Sequence, residues 1–468
     1  MESLVFTKFN WRIFFGIAIF LLLFFPGLSW YSYFAILISI HQFLLLFFAL
    51  DYVLPIRYLF GSLMCLQMFI GPMLAYNGLD KYQYFMYQMK VSEVVYFSYV
   101  IPAVICFILG LHITAGKLKG EIIDEKKIRI FADHHRGLPF LFIGCGFISS
   151  VIAEFFSSDF AFVFYLLGNL KYIGAFLLVL SGKQLKILPL ILVYGSIVIS
   201  SLGEGMFHDL LTWLILMGAV LAIKYKPGVN IKIIVALCFV IFVIVIQQVK
   251  GSYRTATSEG QRAGVETFEK AYQEGQEKNA LFSVTSLASS NVRINQGFII
   301  TNIMKTVPEK VPYSNGAELW QIIQAAILPR ILAPDKLKAG DRTLFTRYTG
   351  MPLRSGTSMG LSSVGDAYIN FGIVGGCIFM LVLGLVYNQV LKTFYKLGNY
   401  YPILILFTTI VFYYPIRPDC ELQTILGHLV KSCFLIYVVF TIWKKYFIVY
   451  PQPPEKDIHT HPLVPSSL

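Results

Sequence analysis

Seven arginines (Arg254, Arg262, Arg293, Arg330, Arg342, Arg347 and Arg354) stand in one polar stretch, residues 250–361, and Arg417 stands in Pro415-Ile416-Arg417-Pro418-Asp419. A guanidinium stays charged and presents a planar fork of donors, so it can hold two phosphate oxygens at once. The stretch runs into Ser362-Ser363-Val364-Gly365-Asp366-Ala367-Tyr368-Ile369-Asn370-Phe371-Gly372, which sets a carboxylate beside Tyr368 and Asn370. Fixed cations can stabilise a departing phosphate. A carboxylate can take the proton of an attacking hydroxyl, and Tyr and Asn can hydrogen-bond sugar hydroxyls.

For Arg254, Arg293, Arg330 and Arg417 two readings stand. Each can bind an anionic ligand, or each can pair with a nearby acid, as Arg330 with Asp335 and Arg417 with Asp419 or Glu421. Arg342, Arg347 and Arg354 lie among Gly, Ser and Thr and read as a solvated loop. Asp366 can act as a base, or it can simply complement the dipole at a helix N-terminus. No DxD pair or carboxylate cluster stands out near these arginines, so any phosphate chemistry here is expected to run without a metal, and no cofactor is expected.

The elements that must position these residues are apolar. Hydrophobic residues make up 56% of the chain and charged residues 14%. Twelve runs approach the roughly 20 apolar residues that cross a hydrocarbon core: about 13–30, 33–50, 58–76, 92–112, 138–156, 161–181, 187–202, 207–223, 231–249, 362–388, 401–416 and 424–443. Backbone polar groups in lipid must be bonded within their own element, which makes these runs helices. The expected fold is an all-α polytopic membrane protein of about 12 transmembrane helices with one large external loop. Its parts are a nine-span region 1–249, the loop 250–361, three spans in 362–445 and a proline-rich disordered tail 446–468.

Lysine and arginine placement sets the orientation. With the N-terminus inside, 18 basic residues fall in inner segments, among them Arg57, Lys224, Lys232 and Lys392. Three (Lys81, Lys90 and Arg417) fall in short outer loops. Both termini are then cytoplasmic and 250–361 is external, a long loop being exempt from the charge rule. The net charge of +12 lies mostly beside span ends, where it sets topology and meets anionic headgroups, so no nucleic-acid partner is indicated. The seven cysteines form no CxxC pair, so neither a disulfide framework nor a zinc site is expected.

Within the loop, residues 261–279 read as a charged surface helix, with Val265, Phe268 and Tyr272 on one stripe. Residues 281–304 read as a re-entrant or interfacial element around Arg293. Residues 315–328 read as an interfacial amphipathic helix capped by Asn315 with Glu318 three residues on, and ended by Pro329. Ionisable groups inside the spans form a second set: Lys171, Glu204, His208, Asp209, His428 and Lys431. Such groups are costly in lipid and need partners or a function. Glu204 and His208 are spaced to pair on one helix. His428 can bond between helices, or with Lys431 it can extend a cationic site near Arg417.

Residues 329–336 read PR-x-L-x-P-D-K, through Pro329, Arg330, Pro334, Asp335 and Lys336. A flexible loop follows, and then G-D-x-Y-x-N-F-G-x-x-G, through Gly365, Asp366, Tyr368, Asn370, Phe371, Gly372 and Gly375, entering an apolar helix. This pattern resembles the O-antigen polymerase family, the Wzy-type polymerases of lipid-linked oligosaccharide repeat units. The run Gln248–Arg254 resembles that family too. The likeness covers about residues 245–390 by motif and the whole chain by topology. Two features depart from it: Asp366 stands where such proteins commonly carry Glu, and Glu204, His208 and Asp209 occupy a region that often holds an arginine.

The resemblance implies a GT-C-like architecture in the bacterial inner membrane. It implies a glycosyltransferase that moves a growing glycan from one undecaprenyl diphosphate to a sugar hydroxyl on the next unit, on the periplasmic face. Arg254, Arg293, Arg330 and Arg417 would hold the diphosphate and Asp366 would act as base, with Tyr368, Asn370, His428 and Lys336 around the sugar. The implied partners are the lipid-linked oligosaccharide, the bilayer and a chain-length regulator. An O-antigen ligase shares this chemistry. A flippase of lipid-linked oligosaccharides would instead bury its cations centrally between two related halves. The basic residues concentrate in one segment and no repeat is visible, which favours the enzyme.

Overall fold

The computed structural model describes residues 9–113, 123–156, 158–181, 186–258, 263–277, 283–328, 337, 340–353 and 359–444. Among these residues the chain is helical and has no strand. In order the helices are α1 (Trp11–Phe24), α2 (Trp30–Ala49), α3 (Ile56–Tyr76), α4 (Glu93–His112), α5 (Glu125–His134), α6 (Leu138–Ile152), α7 (Ser158–Gly168), α8 (Leu170–Ser181), α9 (Ile187–Glu204) and α10 (His208–Tyr225). They continue as α11 (Val229–Ser258), α12 (Val265–Glu277), α13 (Val284–Ile294), α14 (Gly297–Thr306), α15 (Ala317–Ile327), α16 (Arg342–Thr349), α17 (Ser362–Gly398), α18 (Ile403–Val411) and α19 (Leu422–Trp443). Among the described residues ten helical stretches are long and apolar enough to cross a bilayer, the consecutive α7 and α8 counting as one, and the protein is a multi-pass membrane protein.

The twelve expected spans thus become ten and two shorter helices. α1 has 14 residues and α18 has 9, which at about 1.5 Å per residue cannot cross about 30 Å of hydrocarbon. Around α18 the chain continues as turns from Phe412 to Ile416, and residues 402–413 are buried throughout. Irregular backbone of this kind survives at membrane depth because protein, rather than lipid, surrounds it. The boundary expected at residue 250 is also crossed by a helix, since α11 runs on to Ser258.

Small residues and local caps bring these helices together. A Cβ on Gly384 would lie 2.3 Å from the Phe107 carbonyl, and one on Gly110 would lie 2.4 Å from that of Leu381. The bare backbones let α4 and α17 touch, which is how membrane helices gain packing without a hydrophobic driving force. At one end of the bundle the buried Arg57 donates to Asn388 Oδ1 (2.9 Å), and Asn388 donates to the Ile113 carbonyl (2.6 Å). Lys392 lies near Arg57 at this same end. At the other end Tyr99 Oη donates to the Val364 carbonyl at 2.7 Å.

The segment expected to be re-entrant is a hairpin of two short helices, α13 and α14, seated on a widened turn of α3. Residues Leu66–Ile70 form a π turn, and the Gln67 carbonyl accepts from Gln296 N (3.1 Å) between the two helices. Asn291 Nδ2 donates to the Gly71 carbonyl (3.0 Å), where a Cβ would collide with Asn295. A π turn exposes a carbonyl that an α-helix would consume, so the irregularity in α3 is what receives the hairpin.

α17 breaks inside its length. Gly372 has φ 66° and ψ −155°, a conformation essentially confined to glycine. The break releases the Ile369 carbonyl, which accepts from Ser314 N at 3.0 Å. Asn370 then spans the gap. Its Oδ1 accepts from Ser314 Oγ (2.7 Å) and Leu319 N (3.1 Å), and its Nδ2 donates to the Asp366 carbonyl (2.8 Å). A Cβ on Gly372 would meet the Tyr313 ring at 3.1 Å. Gly372→Ala should therefore destabilise the protein by roughly 1–3 kcal/mol through backbone strain alone. In detergent its thermal unfolding midpoint should fall, while Gly427→Ala, whose Cβ would meet nothing within 4 Å, should leave the midpoint in place.

Candidate functional site

A cleft of about 470 Å³ opens where the N-terminal ends of α17 and α19 meet the turn before α14. Gln296, Met359, Gly360, Arg417, Asp419, Glu421 and Thr424 are among the residues around it. The floor is the loop from α18 to α19, and the loop before α17 lies directly on it. A Cβ on Gly360 would be 2.7 Å from the Asp419 carbonyl, so glycine is what lets the two backbones approach.

Arg417 is the described cation of the cleft. Its side chain is 15% exposed, its Nη2 lies 3.2 Å from Asp419 Oδ2, and its guanidinium stands over the Tyr414 ring at 5.5 Å. Burial works against the charge of Asp419, but Arg417 prevails and holds its carboxyl below the usual carboxylate range. Asp209, paired with His208, is a further acid near Arg417 and Tyr413. Glu204 does not make the expected bond to His208. It accepts from Ser200 Oγ (3.4 Å), because Gly205, at φ 61°, ends α9 before α10 begins and the two residues do not share a helix.

Glu421 sits at the N-cap of α19 without capping it. Its Oε1 accepts from Gly340 N (2.7 Å) and from Thr424 Oγ1 (2.8 Å), pinning the chain before α16 to the rim of the cleft. Gln423 adds a second tie by donating to the Leu337 carbonyl at 2.6 Å.

The sequence-derived residues do not gather in one place. Arg417 lines the cleft. Asp366 stands behind its wall, 5% exposed, with Oδ2 accepting from Leu422 N (3.2 Å). That contact satisfies one of the orphan donors of α19, the role a carboxylate has at a helix start. Asn370 is 1% exposed and bonded within the protein at both ends of its amide, so it clamps the helix break rather than facing a sugar. Tyr368 is packed between the rings of Tyr99 (5.0 Å) and Tyr313 (5.8 Å). His428 is buried, and its Nε2 meets the Ile410 carbonyl at 2.7 Å, which is the interhelical bond between α19 and α18.

Arg293 is exposed in the last turn of α13, where the helix dipole favours a cation, and its Nη2 lies 4.0 Å from where a Gly251 Cβ would be. It is not buried in an apolar stretch. Arg254 is on the final turns of α11, and its side chain, like Arg330 and Lys336 altogether, lies outside the described residues. Arg347 is not a free loop cation: it lies in α16 and bonds Glu318 at 3.2 Å. Glu318 also accepts from Tyr348 Oη (2.8 Å), and burial together with this carboxylate pushes the Tyr348 hydroxyl well above its usual range. So Glu318 fastens α15 to α16 instead of closing a capping box. Asn315 does not cap α15 either. Asn315 (φ 48°) and Gly316 (φ 89°) make a left-handed turn, and Gly316 occupies the cap.

The sequence does not point to Gln296 or to the tie from Glu421 to Gly340, because partners more than 80 residues apart leave no local pattern; Thr424, three residues from Glu421, was missed as well. No curated protein and no solved structure matches the chain. Residues 52–451 match a family described as a domain of unknown function, DUF8712. That stretch is most of the 468 residues, and the chain belongs to the DUF8712 family.

Proposed function

We propose that this protein is a glycosyltransferase of GT-C-like architecture that polymerises oligosaccharide repeat units carried on undecaprenyl diphosphate. The reading places it in a bacterial inner membrane with the cleft on the periplasmic face and both termini in the cytoplasm. A chain-length regulator is a natural partner. The observation that carries the reading is Arg417, a mostly buried guanidinium lining a cleft held between two membrane-spanning helices. A lipid-linked diphosphate enters such a cleft from the bilayer, and the fork of donors meets its oxygens. The volume lies in the range of sites that enclose small ligands, roughly 300–1,000 Å³. In the cleft Arg417 offsets the charge that develops on the departing diphosphate, and Asp419 orients the guanidinium.

The first test is a gel of surface polysaccharide from the host strain with this gene deleted and then restored. A long ladder should collapse to core plus a single repeat unit and should return on complementation. Loss of all attached repeats, with long lipid-linked polymer accumulating, would instead identify a ligase. An unchanged ladder would overturn the polysaccharide reading.

A second test separates ligand from structural partner at Arg417. Exchanging the pair, Arg417→Asp with Asp419→Arg, keeps an ion pair in the loop and moves the cation away from its position. The exchanged protein should accumulate normally in the membrane, yet its polymer yield should drop by about 10²–10³-fold, the usual effect of losing a transition-state donor. Wild-type chain lengths from this variant would leave Arg417 a structural role only.

A further inference from the structure

Three carboxylates approach the cleft, and the structure gives each a different occupation. Asp419 is bound to Arg417 (3.2 Å), and that cation keeps its proton off. Asp366 is behind the wall with its Oδ2 on Leu422 N. Glu421 lines the cleft, and its hydrogen bonds from Gly340 N and Thr424 Oγ1 both arrive at the same oxygen, Oε1. Among the described residues its Oε2 takes no hydrogen bond. Two donors on one oxygen fix the plane of the carboxylate and leave the other oxygen turned to a ligand, the geometry a general base requires.

We infer that Glu421, rather than Asp366, is the catalytic base of the transfer, taking the proton of the acceptor sugar hydroxyl on Oε2. This rests on the polymerase reading above. The acceptor oxygen forms a bond to the anomeric carbon of the donor glycan as the bond from that carbon to the diphosphate oxygen breaks. The electron pair leaves with the diphosphate, beside Arg417, and the acceptor proton passes to Glu421, which returns it to water. A single displacement of this kind inverts the anomeric centre. Gly340 and Thr424 are positioning residues: they aim the carboxylate and do not touch the reacting atoms.

Glu421→Gln makes the distinction cleanly. The amide oxygen can still accept from Gly340 N and Thr424 Oγ1, so the tie to the cleft rim survives and only the proton acceptor is lost. The full-length protein is purified in detergent and supplied with undecaprenyl-diphosphate-linked single repeat units extracted from the deletion strain, and chain growth is followed by gel. Wild type should extend the units. Glu421→Gln should lose kcat by at least about 10²-fold, the usual contribution of a general base, with KM and thermal midpoint near wild type. Glu421→Asp, a shorter acid, should retain at least tenfold more activity than the Gln variant, which keeps the test decisive even if the Gln variant accumulates poorly. Asp366→Asn should lose far less than Glu421→Gln. If Glu421→Gln extends chains within about threefold of wild type, Glu421 only ties the rim and the inference falls while the polymerase reading stands. If wild type itself leaves the repeat units unextended, both fall.

Discussion

The cleft depends on one short stretch of chain, Val364 to Asn370, whose polar groups are committed to three other parts of the chain. The Val364 carbonyl takes Tyr99, the Asp366 carboxylate takes the start of α19, and the Asp366 carbonyl takes Asn370. The Ile369 carbonyl and the Asn370 amide then take residues 314–319. The Ile369 contact is not possible in an uninterrupted helix, where that carbonyl would be spent on the next turn. The left-handed geometry of Gly372 frees it. A single glycine thus frees the carbonyl that joins Ser314 to the membrane bundle.

That commitment explains why the acids of the site are unlike one another. A carboxylate bonded to a helix start or to a guanidinium is committed to structure, because the donor it holds would otherwise be left without a partner. Asp366 and Asp419 are of this kind. Glu421 escapes because the start of α19 is already served by Asp366, and Glu421 caps nothing. The buried aspartate thus leaves the neighbouring glutamate available to the cleft.

The class of fold was legible in the sequence because lipid imposes one rule on every span, and each of the twelve apolar runs holds helix among the described residues. Their lengths were less legible. Hydropathy does not register that the 401–416 run is enclosed by protein, where turns can replace helix. Nor does it register the π turn at Leu66–Ile70, which only makes sense against the Asn295–Gly297 backbone far along the chain. At the site an acid partner for Arg417 was legible, Asp419 or Glu421, since both stand within four residues and a buried arginine needs an anion, and the structure pairs it with Asp419. The pairing of Glu204 with His208 failed on one residue, Gly205, because helical spacing means nothing across a helix end. The bond between Glu421 and Gly340 had no local signature at all.

The residues of the motif around Asp366 matter in a way their chemistry does not suggest. Tyr368 packs between two rings, Asn370 bridges a broken helix, Gly372 makes the break, and Asp366 anchors α19. Each has the residue type that a sugar-binding or catalytic position would want, and each is occupied with holding two helix ends at a fixed separation. A likeness to another family through these positions is therefore a likeness of scaffold. The groups that face the cleft, Arg417, Asp419, Glu421 and Thr424, come instead from the loop and first turn that the scaffold holds in place. Residues 417–424 supply most of the polar lining of the cleft, and the motif near residue 366 sets where that lining stands.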